Sequence, residues 1–151
     1  MRLKAQGERA RDQILAGGAT SLVNLVIHAL VMGVLVKLLL SLSDRGTGAP
    51  PFLAYTVIIV TTGAVLSAAH FVEVLLWAYT YAAVGVAPPG TDLVYFAFGN
   101  YTTLGYGDVL PLEHWRVLAP MTALNGIMLI GWSTALMFAI LRRAVPEMAR
   151  R

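Results

Sequence analysis

The chain has 151 residues, 58% of them hydrophobic and 13% charged, with a mean hydropathy of +0.71, an apolar share above that of a soluble domain. It has no cysteine, which excludes disulfides, a thiolate metal site and a cysteine nucleophile. The net charge of +3 gathers in the first and last dozen positions, where it flanks apolar stretches as in a membrane protein and forms no nucleic-acid surface.

Residues 1–17 are a basic N-terminal segment. The apolar run behind it outlasts the h-region of a secretory signal, and no small-residue cleavage site ends it, so the segment reads as mature structure. Gly18 to Leu42 is long enough to cross a bilayer, which takes about 20 apolar residues, and a linker follows to residue 51. Asn24 and His28, four apart, read as hydrogen-bonding glue between helices. Lys37 lies near one end, where its stem reaches the interface. Basic residues do not recur at every third position, so this helix is no voltage sensor.

After the polar break "SDRGTGAPP", a second crossing runs from Phe52 to Val84, with Pro50 and Pro51 suited to a helix start. Trp77, Tyr79 and Tyr81 form an aromatic group of the kind found at headgroups. His70 and Glu73, three apart, share a face inside the apolar stretch. They read as a hydrogen-bonded pair joining helices or, in the functional sense, as a pH sensor or a brace on what lies behind them. Two visible ligands are too few for a metal site. The sharper expectation is that Glu73 anchors the re-entrant segment, so that Glu73→Gln alters activity and its pH dependence.

The stretch "VAPPGTDLVYFAFGNYTTLGYGDVLPLEH" is too short and polar to cross. Pro88, Pro89 and Gly90 predict a turn, Thr91 a helix cap, and Asp92 to Thr102 a helix of about three turns. A short helix followed by a glycine-rich extended strand is a re-entrant loop, which membrane depth tolerates only inside protein or beside an aqueous path. The third crossing runs from Trp115 to Leu141 and stops at Arg142 and Arg143, leaving a basic tail over 142–151. On it Gly126 and Gly131 suit close packing or a gating hinge. Thr122 and Asn125 share a face as candidate cavity-lining groups, and Trp132 returns near that face, suited to packing between subunits. His114 is given no role.

The order of residues in "NYTTLGYGDVLP" points beyond an ordinary loop. Gly105 and Gly107 accept positive φ and so bring onto one side carbonyls that a uniform strand would alternate. Stacked rings of such oxygens, with the Thr103 hydroxyl below, replace the hydration shell of a potassium ion. The preceding helix turns its negative end toward the same place, and Asp108 falls at the mouth.

At these positions the chain resembles the potassium-channel pore family, whose filter reads T-x-G-Y-G, often followed by Asp. The match covers Thr102, Thr103, Leu104, Gly105, Tyr106, Gly107 and Asp108, and the likeness spans Phe52 to Leu141, roughly 60% of the chain. "HFVEVLLWAYTY", "YTTLGYGD" and "GWSTALMF" together look like small bacterial pore-domain-only channels. The resemblance implies an all-α membrane protein of three transmembrane helices, with a pore helix and filter loop between the second and third. It implies a pore domain over 52–141, assembly as a homotetramer, and potassium held by Thr103, Leu104, Gly105 and Tyr106 as the transported ion. It also implies the plasma membrane, here a bacterial inner membrane, and no cofactor, small-molecule substrate or nucleic-acid partner. No catalytic constellation is visible.

Two supports common in that family are missing. Gly99 stands where many relatives have a Glu paired with the Asp after the filter, and Tyr95 and Phe96 replace the outer tryptophans. Tyr95 remains able to donate to Asp108 and Phe96 to pack beside Tyr106, which predicts a weakly braced filter. Rival readings are a non-conducting membrane scaffold or sensor with a pore-like fold, and a weakly selective cation channel. Three crossings put the basic ends on opposite sides, so charge leaves the orientation nearly tied. Either the N-terminus is external, as the family orientation implies, or the basic segment lies along the membrane surface as an amphipathic helix.

Overall fold

The computed structural model describes the backbone of residues 2–45 and 51–149 and the side chains of residues 7–41 and 52–142. It is all-helical, with no strand among the described residues: α1 (Arg2–Arg45), α2 (Pro51–Val84), α3 (Leu93–Tyr101), a 3-10 turn (Glu113–Trp115) and α4 (Leu118–Ala149). Three segments, Gly7–Ser41, Phe52–Val84 and Glu113–Arg142, are long and apolar enough to cross a membrane, so this is a multi-pass membrane protein.

The first helix does not begin at Gly18. It is continuous from Arg2 over 44 residues, or about 66 Å at 1.5 Å per residue, twice the hydrocarbon thickness of a bilayer. The stretch "RLKAQGERARDQIL" is rich in good helix formers, which carry the helix outward without a break. No separate surface helix forms there. At the other end α4 continues past Arg142 and Arg143 to Ala149, so those arginines do not stop the helix.

Helix directions follow from the cross-links. Gln13 Oε1 accepts from Val117 N at 2.8 Å, Asn125 Nδ2 donates to Ser21 O at 3.5 Å, and Ser133 Oγ meets His28 Nε2 at 3.3 Å. The offset is nearly constant, so α1 and α4 run parallel. Against α2 the residue numbers run oppositely, Thr20 with Thr80 at 2.8 Å and His28 with Glu73 at 2.9 Å, so that pair is antiparallel. The N-terminal end of α1 therefore lies at the same end of the bundle as the loop between α3 and α4.

Gln13, Gly17, Thr20, Asn24, His28, Met32 and Leu35 form the buried stripe of α1, at the three-and-four spacing of a helix face. The main core packs around α3: Val74, Trp77, Ala78 and Tyr81 of α2 meet Phe96, Ala97 and Tyr101 of α3 and Leu118 of α4. Trp77 and Tyr81 are fully buried and only Tyr79 points outward. The expected headgroup cluster is thus two core aromatics and one exposed ring, because the side of α2 that carries positions 77 and 81 is the side that meets α3. A smaller cluster of Met32, Leu35 and Leu66 closes the opposite end.

Candidate functional site

Gly90, with φ of +87°, turns the chain into α3. Asp92, and not Thr91, is the cap: its Oδ1 accepts from Val94 N at 3.1 Å and Tyr95 N at 3.0 Å, while the Thr91 hydroxyl turns back to Pro88 O at 2.8 Å. At the far end Thr102 N donates to Phe98 O and Thr103 N to Asn100 O, both at 3.0 Å, and Gly105 N reaches Gly99 O at 3.2 Å. The segment after the helix is therefore hung from the last turn of α3. Further on, Leu112 N donates to Val86 O at 2.7 Å, tying the exit of the loop to its entrance.

Residues Thr102 to Asp108 form no strand. Positive φ falls on every second residue, at Thr103 (60°), Gly105 (50°) and Gly107 (79°). Alternating left-handed and ordinary backbone turns successive carbonyls to one side, which a uniform strand cannot do. Thr103 was not legible as a member of this series. A β-branched residue with positive φ is a steric outlier, and such strain gathers at functional sites. All seven residues, Thr102, Thr103, Leu104, Gly105, Tyr106, Gly107 and Asp108, are exposed in the single chain, which supplies one wall of a site and not an enclosure.

Behind this segment, Tyr95 Oη donates to Asp108 Oδ2 at 2.7 Å. Phe96 lines a small cavity together with Tyr106. It is buried against Tyr81, ring centroids 5.2 Å apart, because this face of α3 is turned into the core. Gly99 borders the same cavity, of about 20 Å³, with Tyr95, Asn100 and residues 105–109. A Cβ at Gly99 would meet nothing within 4 Å. For the filter that the resemblance implies, we expect Gly99→Glu, which adds a carboxyl beside Asp108, to lengthen open dwell times in single-channel recordings; unchanged dwell times would refute its weak bracing.

The hydrogen bond to Asp108 holds the Tyr95 hydroxyl above its ordinary pKa. The neutral donor, and the brace it makes, therefore persists below the usual phenol value of about 10 and is lost only as pH rises past the raised one. Tyr95→Phe is expected to increase flicker at neutral pH, whereas the parent chain stays level up to about pH 10. Equal flicker in both would remove Tyr95 from the support.

Glu73 is fully buried in α2. Its Oε2 accepts from Tyr101 Oη at 2.5 Å and meets His70 Nδ1 at 2.9 Å, and its Oε1 meets His28 Nδ1 at 2.9 Å. Tyr101 is the last residue of α3, so Glu73 and His70 lie directly behind the start of the exposed segment. The fold adds His28 from α1 to the two residues that spacing alone placed together, and the nitrogen and oxygen atoms of the three lie within 4.8 Å of one another. Sequence reasoning missed Tyr101 and Ser133 as members. The available signal was the Thr20, Asn24, His28 row, a polar line on one face of an apolar helix.

On α4, Thr122 and Asn125 are turned into the helix packing. Thr122 is fully buried and bonded to Tyr81 Oη at 2.6 Å, and Asn125 Oδ1 accepts from Trp77 Nε1 at 3.0 Å and Asn24 Nδ2 at 3.1 Å. They share a face, as spacing requires, but it is the face toward α1 and α2. Gly126 is buried on the backbone of Tyr101, so closely that a Cβ there would overlap the Tyr101 carbonyl oxygen. Its place is a packing contact, while Gly131 is exposed with nothing near it. Trp132 is half-exposed, its ring 5.6 Å from that of His28.

A family model described as "Ion channel" matches residues 54–143, from α2 through the exposed segment to the later part of α4. Neither the curated proteins nor the solved structures compared gave a match.

Proposed function

The chain belongs to the ion channel family, and on that premise we propose that it conducts potassium passively through a ring of backbone carbonyls. The observation that carries this reading is the run Thr102 to Asp108 with positive φ at Thr103, Gly105 and Gly107. The carbonyls of Thr103, Leu104, Gly105 and Tyr106, with the Thr103 hydroxyl, take the place of the ion's water. Asp108 adds negative potential at the mouth, and the C-terminal end of α3 does so from behind.

One filter segment per chain requires four chains around an axis, hence a homotetramer. The exposure of all seven residues in the single chain fits a wall that neighbours complete. The N-terminal end of α1 then lies on the side of the filter mouth.

The test is flux from potassium-loaded liposomes containing only this protein. Flux that barium blocks supports the channel; no flux across the pH and lipid conditions tried overturns it in favour of a scaffold. A weakly selective cation channel is the second reading, favoured by Gly99, which leaves Tyr95 as the side chain on Asp108.

A further inference from the structure

With neutral rings and an ionised Glu73, the buried cluster behind α3 has one proton fewer than its contacts require. Glu73 receives Tyr101 Oη and the Nδ1 atoms of His28 and His70. His70 Nδ1 also lies 2.9 Å from Tyr101 Oη, a second acceptor for the same N–H. On their far sides both rings meet one hydroxyl, His70 Nε2 at 3.0 Å and His28 Nε2 at 3.3 Å from Ser133 Oγ. Glu73 and Ser133 are thus bridged twice, once through each imidazole.

Each contact needs one hydrogen. An ionised carboxylate only accepts, so beside Glu73 both Nδ1 atoms carry their hydrogen. A neutral imidazole has a single N–H, which leaves both Nε2 atoms as acceptors facing Ser133. Its hydroxyl has one hydrogen and serves one ring. At the other, two lone pairs would face each other in a dry interior, where an unmade hydrogen bond is most costly. One added proton on an Nε2 completes the circuit. It also cancels the carboxylate charge, which a membrane interior otherwise leaves uncompensated.

The groups facing the cluster are His28 from α1, His70 and Glu73 from α2, Tyr101 from α3, and Ser133 from α4. Among the described residues α4 adds no titratable side chain to it. Access runs past His70, whose side chain is 20% exposed while those of His28 and Glu73 are fully buried. The three ligand-type atoms are close enough to suggest a metal ion, but both Nδ1 atoms already point at the carboxylate, and Tyr101 fills the space beside it.

We infer that His28, His70, Glu73 and Ser133 form a binding site for one proton, held as an imidazolium shared between the two rings. Losing it frees Ser133 from one ring and so loosens α4 from α1 or α2, two residues beyond Gly131. The effect of that loosening on conduction rests on the channel reading; the proton count does not.

The test is nitrogen NMR of the full chain in liposomes with labelled histidine, in a His114→Gln background so that the two cluster rings alone report. We expect three of the four ring nitrogens to carry a hydrogen in the folded chain. Ser133→Ala, which removes the acceptor for the third N–H, is expected to leave two. Two protonated nitrogens in the parent chain, or four, would overturn the count. Three still protonated in Ser133→Ala would remove the hydroxyl from the site. Deprotonation of ring nitrogens by one equivalent of added zinc would make this a metal site instead. Absent flux with the expected count would sink the channel reading and leave the proton site standing.

Discussion

Gly105→Ala is expected to abolish potassium flux while the protein still assembles. Gly105 has φ of +50° with open space around its missing Cβ, so the obstacle is backbone conformation and not room. An L-residue held in the left-handed region costs about 1–2 kcal/mol. In the proposed ring of four chains each such segment carries that cost. At about 1.4 kcal/mol per factor of ten, the conducting arrangement loses more than about a hundredfold in population. Thr103 already bears the same strain, and Gly107 is held at +79°, so little freedom is left nearby to absorb more. Flux in liposomes, measured beside the oligomeric state, checks this. Wild-type flux from an assembled Gly105→Ala protein would show that the alternation of backbone handedness is not what conducts.

The second large effect is on folding. Gly126→Ala places a methyl group on the carbonyl oxygen of Tyr101, and backbone cannot step aside as a flexible side chain can. Replacing glycine in a helix gains about 1 kcal/mol in propensity, but overpacking costs typically about 1–3 kcal/mol. With a backbone atom as the obstacle, the upper part of that range applies and the overlap wins. We expect a lowered unfolding temperature, and a displaced α3 in whatever folds. Gly131→Ala is the contrast: its Cβ meets nothing within 4 Å, so stability should hold or rise. Equal behaviour of the two variants would mean that Gly126 is not the seat of α3 on α4.

These two glycines also show what can be read from a sequence of this kind. The positive φ at Gly105 and Gly107 was legible because glycines alternating with Leu104 and Tyr106 have few other uses. The bond from Tyr95 to Asp108 was legible too, since both ends were identified by position. Helix rotation was not. Where lipid covers one side and core the other, both sides are apolar, and periodicity no longer marks the buried face. Trp77, Tyr81, Thr122 and Asn125 were therefore assigned outward or cavity-facing places, although each is buried between helices.

The same uncertainty hid the partners of Glu73. His70 was visible three residues away, but His28 lies 45 residues back and Ser133 on the last helix, and only the packing of α1 between α2 and α4 unites them. The reach of α1 was hidden for another reason. Its charged first turns look like a flank because membrane logic separates charge from span, while helix propensity continues through both.

Whether residues 102–108 select potassium, as proposed, is decided by a reversal potential. With potassium on one side of a bilayer and sodium on the other, we expect a current that reverses far from zero, in the direction set by potassium permeability, and that barium blocks. A current reversing near zero would contradict it, leaving an ion channel whose carbonyl ring does not discriminate.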